Sequence, residues 1–156
     1  MRLEYFQMID RIVALDIGEL AVRSVGTVPK ASTIFEGHFP NFPLMPGALL
    51  IECMAQTVGW LVMARDGFTG MPFMAGVKEA KFRTAVLPGD ELEFQGQLVH
   101  EGSGYAIGAC KGTRQGRVVC EAQITYRLLP FPNPEFRKAL FEWAERLEVP
   151  VKEFSR

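Results

Sequence analysis

Residues 46–64 read PGALLIECMAQTVGWLVMA, and this stretch decides the fold. Its apolar side chains fall on every side of a helix rather than along one stripe, which is typical of a helix buried in a core. Only Glu52, Gln56 and Thr57 are polar. The pattern predicts a helix over residues 48–64, and Pro46 and Gly47 before it suit a helix start because proline is favoured at the first helical position.

Strand patterns occur on both sides of this helix in the chain. We predict a hairpin formed by residues 11–16 and 19–25. Four longer strands are predicted at residues 73–86, 91–101, 105–113 and 116–129. In the last strand apolar and polar residues alternate, which favours an antiparallel sheet with one buried face. A helix that is apolar all round needs cover on every side. We therefore predict an α+β fold in which a curved antiparallel sheet wraps around a long central helix.

The segment before the helix combines a histidine with regularly spaced prolines. Prolines stand at positions 40, 43 and 46, so the backbone after His38 should favour polyproline II and hold that side chain on a stiff segment. Gly47 has no side chain, which lets a ligand approach the backbone closely. The free N–H groups at the helix start can bind negative charge.

Glu52 and His38 are the candidate acid and base. Desolvation in an apolar helix favours the protonated form of a carboxyl group, which suits a general acid, and Gln56 lies on the same helix face one turn later. The alternatives are ordinary: a histidine before a helix is commonly a satisfied loop residue, and a glutamate in such a helix commonly forms an ion pair. The combination of both residues with the prolines and the glycine favours an active site.

Several motifs together resemble one enzyme family. They are Gly37-His38-Phe39-Pro40, Pro43, Met45-Pro46-Gly47, Glu52 and Met54-Ala55-Gln56. Further matches lie at residues 5–11, 75–77, 79–82, 88–90 and 116–122. The chain resembles the β-hydroxyacyl-acyl-carrier-protein dehydratases of bacterial fatty acid synthesis over roughly residues 5–128, and motifs of this length seldom arise by chance.

The resemblance implies the hotdog fold and a carbon–oxygen lyase reaction. Water would be lost from a (3R)-3-hydroxyacyl thioester to give the trans-2-enoyl thioester. His38 would act as the base, Glu52 as the acid and the Gly47 N–H as the donor to the developing oxyanion. Gln56 would orient Glu52. The branch of the family that also isomerises its product has aspartate at the position of Glu52, so this chain resembles the dehydratase-only branch.

The resemblance also implies partners. The substrate would ride on the phosphopantetheine arm of acyl carrier protein, with no other cofactor. The His and Glu of one site would come from two protomers, so a homodimer is expected, and a hexamer made of three dimers is an alternative. Lys78, Lys81 and Arg83 match the family's docking region, although a solvated sheet face explains these charges equally well. Lys78 stands where relatives usually carry an acid.

Phe73 and Met74 are the candidates for a gate on the acyl tunnel. Many relatives have a tyrosine just before the segment that matches residues 75–77, and phenylalanine keeps its bulk but loses the hydroxyl.

After residue 130 the composition changes. We predict a hotdog domain over residues 1–130 and a helical extension over residues 131–156 packed on it, with Asn133 as helix N-cap. The extension lies beyond the resemblance, and roles in oligomer contacts or in the acyl tunnel stay open.

Composition agrees with one compact domain. The chain has 156 residues, 48% of them hydrophobic, and a formal net charge of −1, which indicates neither nucleic acid nor an anionic membrane as partner. The three cysteines are odd in number and lack metal spacing, so we expect reduced thiols, no metal and a cytoplasmic location. No secretion signal is evident, and the polar residues in the long helix argue against a membrane span.

Two rival functions use the same fold. A hotdog acyl thioesterase would hydrolyse the thioester and needs a carboxylate that activates water. A non-catalytic acyl-binding protein would have no need of the His38 and Glu52 pair.

Overall fold

A computed structural model of the chain describes residues 1–154. After a short 3-10 helix at Leu3–Tyr5, these 154 residues form six strands and four helices. The strands are β1 (Arg11–Asp16), β2 (Ala21–Thr27), β3 (Gly70–Phe82), β4 (Glu91–Gly102), β5 (Tyr105–Arg114) and β6 (Arg117–Pro130). The helices are α1 (Thr33–Gly37), α2 (Gly47–Arg65), α3 (Pro134–Arg146) and α4 (Val151–Phe154).

The strands form one antiparallel sheet in the order β1-β2-β4-β5-β6-β3. The sheet curves around helix α2, as predicted. In β6 the alternation is also confirmed, since Cys120, Ala122, Ile124 and Tyr126 are buried. Strand β3 lies at one edge of the sheet, and most of its residues from Phe73 onward are exposed.

The predicted bounds of β2 and β3 are wrong at both ends, since the strands cover Ala21–Thr27 and Gly70–Phe82. Strand β2 begins at Ala21 rather than at residue 19, because the Asp16 carboxylate accepts hydrogen bonds from the N–H groups of Gly18 and Glu19 and extends the turn. Strand β3 begins at Gly70 rather than at residue 73 and ends at Phe82 rather than at residue 86. Beyond it the chain turns toward the start of α2, where the carbonyl of Val86 accepts from the N–H of Met45 at 2.8 Å.

Helix α2 lies in the core, against strands from the whole sheet. It is long and apolar enough to span a membrane, yet 67% of its most apolar stretch is buried inside the protein. The sheet approaches closely at Gly96 and Gly108, where an added Cβ would lie 2.7 and 2.4 Å from the Val58 side chain. Two polar contacts fix the helix within the sheet. Tyr126 donates to the carbonyl of Ala55, and Thr57 bonds to Ser24.

The chain after β6 forms helix α3, and Asn133 caps it by accepting from the N–H of Phe136 at 2.7 Å. The predicted N-cap is therefore confirmed. The helix packs on the core through two edge-to-face aromatic pairs, Trp143 with Trp60 and Phe141 with Phe68. The turn after it also contacts the sheet, since the N–H of Ile12 donates to a backbone carbonyl there at 2.8 Å.

Candidate active site

His38 caps helix α1, where its N–H donates to the carbonyl of Ile34 at 3.0 Å, and it makes two further hydrogen bonds to one loop residue. Its Nδ1 lies 2.8 Å from the carbonyl oxygen of Leu44, and the N–H of Leu44 donates to the carbonyl of His38, also at 2.8 Å. The ring stacks on Phe39 with centroids 4.2 Å apart and is half-buried. Leu44 therefore fixes both the backbone and the imidazole of His38.

The predicted polyproline segment after His38 is wrong in its middle. Phe39 and Phe42 exchange two backbone hydrogen bonds, and Asn41 has a φ of 63°, so the chain turns there. Asparagine tolerates this left-handed conformation better than most residues. The rigidity predicted for His38 therefore comes from this turn and from Leu44 rather than from an extended backbone.

The contact with Leu44 assigns the tautomer of His38. A carbonyl oxygen can only accept, so the Nδ1 atom must carry the proton. In a neutral imidazole the other ring nitrogen, Nε2, then has a free lone pair. This is the state that a general base requires.

Glu52 lies on the second turn of α2 and is half-buried. Its Oε1 accepts a hydrogen bond from Gln56 Nε2 at 2.9 Å. The same amide nitrogen donates to the carbonyl of Phe6 at 2.6 Å, and Gln56 Oε1 accepts from the N–H of Met8 at 3.1 Å. A flipped amide would set its NH₂ group against the Met8 N–H, so the network fixes Gln56 and, through it, one oxygen of Glu52.

Gly47 is the first residue of α2. The side chain of Pro46 before it makes no capping hydrogen bond, and the first N–H groups of a helix have no partner within the helix. The ring of Phe82 lies over Gly47. A Cβ added to Gly47 would be 3.1 to 3.2 Å from three atoms of that ring. The glycine thus leaves an N–H terminus that a negative oxygen can reach beside an aromatic ring.

A cavity of about 610 Å³ opens beside Glu52. Its walls come from the segment around the 3-10 helix, from α2, from the first half of β3, from Tyr126 and from α3. The cavity brings together four of the predicted residues, namely Glu52, Gln56, Phe73 and Met74. His38 and Gly47 do not line it, so one copy of the chain does not bring the candidate base and acid together in this cavity.

The three predicted docking residues differ in their surroundings. Lys81 Nζ lies 3.8 Å from a carboxylate oxygen of Glu121, and Arg83 bonds to the same oxygen. Glu121 therefore holds both cations, but its single negative charge neutralises only one of them. Lys78 is exposed and makes no ion pair within residues 1–154.

The cysteines and possible metal ligands give no second chemical centre. Cys53, Cys110 and Cys120 are free and buried, and desolvation raises the pKa of all three, that of Cys120 to about 11. They stay protonated at neutral pH and are poor nucleophiles. Among residues 1–154, no three side chains of His, Cys, Asp or Glu are grouped as metal ligands would be.

Two features of the site were missed in the sequence. The carbonyl of Leu44 that orients His38 belongs to the backbone and has no side-chain pattern. The α3 wall of the cavity had a visible signal, because Phe136, Leu140 and Trp143 are spaced for one helix face. That spacing showed an apolar face but not what it covers.

Comparison with known sequences places the chain in a family. Residues 2–123 match the model of the FabA-like domain. The chain is 33% identical over 129 residues to 3-hydroxyacyl-(acyl-carrier-protein) dehydratase FabZ of Listeria welshimeri, which covers 82% of this chain and 89% of that protein. It is 36% identical over 126 residues to the enzyme of the same name from Caldicellulosiruptor saccharolyticus. This alignment covers 79% of this chain and 88% of that protein.

Solved structures confirm the predicted hotdog fold. A hypothetical thioesterase with coenzyme A from Streptococcus pneumoniae aligns with a TM-score of 0.61 and 20% identity, over 79% of this chain and 88% of that one. The dehydratase heterocomplex ApeI:P from Xenorhabdus doucetiae aligns with a TM-score of 0.63 and 17% identity, over 87% and 90%. At such identities the likeness extends to the fold alone.

Proposed function

The chain belongs to the FabA-like domain family, and on that premise we propose that it dehydrates (3R)-3-hydroxyacyl-acyl-carrier-protein to the trans-2-enoyl product in fatty acid biosynthesis. The observation that carries the proposal is the tautomer of His38. A proton on Nδ1, directed at the Leu44 carbonyl, leaves Nε2 free to take the weakly acidic C2 proton of a 3-hydroxyacyl thioester.

Glu52 supplies the proton that the leaving hydroxyl needs. Gln56 occupies Oε1, so Oε2 is the oxygen left to face the cavity and the substrate. In the reaction His38 Nε2 takes the C2 proton, and that electron pair forms the C2=C3 bond as the C3–O bond breaks. The departing hydroxyl takes the proton of Glu52 and leaves as water. Proton exchange with solvent then returns His38 and Glu52 to their starting forms.

Gly47 would stabilise the charge that develops on the thioester oxygen as C2 loses its proton. A backbone N–H at a helix start is a fixed donor and adds the positive end of the helix dipole. Such a donor needs no reorganisation during the reaction, because α2 is buried and held by its contacts with the sheet.

We propose that two copies of the chain form each site. Within one copy His38 does not line the cavity that holds Glu52, whereas β3 offers an unpaired sheet edge with exposed Phe73, Met74, Val77 and Phe82. Edge strands with exposed apolar residues are a template for pairing with another chain. A homodimer through β3 would bring His38 of one copy toward the Glu52 cavity of the other. Three such dimers would give a hexamer.

The remaining partner would be acyl carrier protein. We propose that its phosphopantetheine arm delivers the substrate, with no further cofactor, and that the protein works in the cytoplasm. Lys78 is the docking residue that the structure favours, because its charge has no partner ion within residues 1–154. Phe73 and Met74, 56% and 40% exposed on the cavity rim, fit the proposed gate.

A thioesterase is the second candidate, since proteins described by that name share the fold. Glu52 would then activate water against the thioester carbonyl. Incubation of the purified protein with 3-hydroxyacyl-carrier substrates, followed by mass measurement, separates the two. Loss of water with the carrier still attached is the result we expect. Release of the free acid would identify a thioesterase, and binding without conversion would identify a non-catalytic acyl-binding protein.

A further inference from the structure

We propose that helix α3 is the wall that limits the acyl chain, so that this C-terminal helix sets which substrate lengths the protein accepts. The inference rests on the proposed function. Helix α3 lies beyond residues 2–123, which match the family domain, so family membership carries no information about it. Its role depends on the contacts that this chain's own residues make.

The cavity follows one face of helix α2. Glu52, Gln56, Gly59 and Met63 all line it, and their spacing of three or four residues places them in one row along the helix. From Glu52 to Met63 the row rises about 16 Å at about 1.5 Å per residue. An extended chain advances about 3.5 Å over three bonds, so the row accommodates about fourteen carbons. The acid therefore lies at one end of a groove of acyl length.

Helix α3 covers the other end of this row. Trp143 packs edge to face on Trp60 with ring centroids 5.5 Å apart, and both residues line the cavity. Phe136 and Leu140, two turns and one turn earlier on the same face, line it as well. Phe141 holds the helix in place from the neighbouring face through Phe68. The wall is thus seated on the core and is not a loose cover.

The surface that α3 turns toward the cavity is apolar from Phe136 to Trp143, with Arg146 at its end, and it is incompletely covered. Phe136 is 39% exposed and Leu140 is half-buried, although both are side chains that gain free energy by leaving water. A hydrocarbon chain lying along the row would cover them. The chemistry of the wall therefore favours the alkyl end of an acyl chain, while Glu52 lies near the reacting carbons.

Two substitutions narrow the groove without removing a core contact. Ala139 lines the cavity from α3 and is exposed, so Ala139→Phe adds bulk where space exists. Gly59 lies on the floor, where an added Cβ would meet only Pro72 at 3.5 Å, an ordinary contact distance. Gly59→Ala therefore fits and favours the helix. Lys138→Phe is the matched control, because that side chain is 80% exposed on the adjacent position of α3 and does not line the cavity.

The test is kcat/KM for 3-hydroxyacyl-carrier substrates of increasing length, from a four-carbon to a long chain. We expect Ala139→Phe to lower the value for the long chain by about tenfold or more, because each methylene kept out of the cavity loses its burial. Gly59→Ala should do the same to a smaller degree. Both should lower the value for the four-carbon chain much less than the value for the long chain, and Lys138→Phe should change neither value. Equal losses at all lengths, or an unchanged length preference, would overturn the role of α3.

Failure of this inference can be distinguished from failure of the proposed function. Turnover of the four-carbon substrate by the unsubstituted protein tests dehydration alone, whereas the ratio between lengths tests the wall. If no substrate is converted, calorimetry measures the dissociation constants of four-carbon and long-chain 3-hydroxyacyl pantetheine thioesters. The ratio of these two constants then tests the wall. Ala139→Phe should then weaken binding of the long ligand more than binding of the short one, and an unchanged ratio would again refute the wall.

Discussion

Backbone groups fix His38 directly, and they fix Glu52 through the side chain of Gln56. The carbonyl of Leu44 sets the tautomer of His38, while the carbonyl of Phe6 and the N–H of Met8 hold Gln56 against Glu52. The N-terminal segment is therefore part of the support of the candidate active site. The sequence pattern predicted that Gln56 orients Glu52, and the two backbone partners explain how Gln56 itself is held.

Substitution of Gln56 tests this support. Gln56→Ala removes the donor to Glu52 and leaves the Phe6 carbonyl and the Met8 N–H without their partner. We expect kcat to fall about tenfold or more with little change in KM, and stability to fall by about 1–3 kcal/mol. Steady-state kinetics and urea unfolding measure both. Gln123→Ala on strand β6 is the matched control, and an unchanged kcat in Gln56→Ala would refute the positioning role.

The buried thiols give a pH-dependent prediction. Desolvation raises the pKa of Cys120 from 9.0 to about 11, so at pH 8 only about 10⁻³ of that thiol is ionised. Labelling by iodoacetamide should be slow in the native protein and fast in urea. The unfolded chain releases the proton first, so stability should fall as pH rises from about 9 to about 11. Rapid labelling of native protein at pH 8 would contradict the burial.

At the scale of elements, hydrophobic patterning determined what could be predicted. The all-round apolar pattern predicted α2, observed at Gly47–Arg65, and alternation predicted the buried face of β6. A turn set by a single side chain can move a strand boundary. The Asp16 carboxylate extends the turn after β1, so β2 begins two residues later than its pattern predicted. Tertiary packing places β3 at the sheet edge and α3 against the cavity. Local periodicity does not encode such packing.

Strand β3 also carries the proposed docking charge. Lys78→Glu should raise KM for carrier-bound substrate several-fold, and the effect should shrink as salt shortens the Debye length from about 10 Å at 0.1 M to about 3 Å at 1 M. Lys81→Glu should raise this KM less than Lys78→Glu does, because Lys81 already faces Glu121. Lys111→Glu on β5 is the control. Equal losses on a short thioester without carrier would show that Lys78 supports the site instead.

At the scale of the whole molecule, the central claim is that two copies of the chain share each active site. His38→Ala and Glu52→Gln should each lower turnover by about 10² to 10⁴-fold, because general acid and base groups contribute to that extent. Circular dichroism checks that both variants keep the fold. Neither single variant alone tells whether the two residues act within one copy.

Mixing the two inactive variants tests the sharing most directly. After subunit exchange at equal amounts, half of the dimers are mixed, and in each of these one site has both defects and the other has none. We therefore expect about one quarter of the unsubstituted activity to return. As a control, the double variant His38→Ala/Glu52→Gln mixed equally with unsubstituted protein should leave about one quarter, since every mixed dimer loses both sites. No recovery in the first mixture, together with about half the activity in the second, would place both residues within one copy and contradict the shared site.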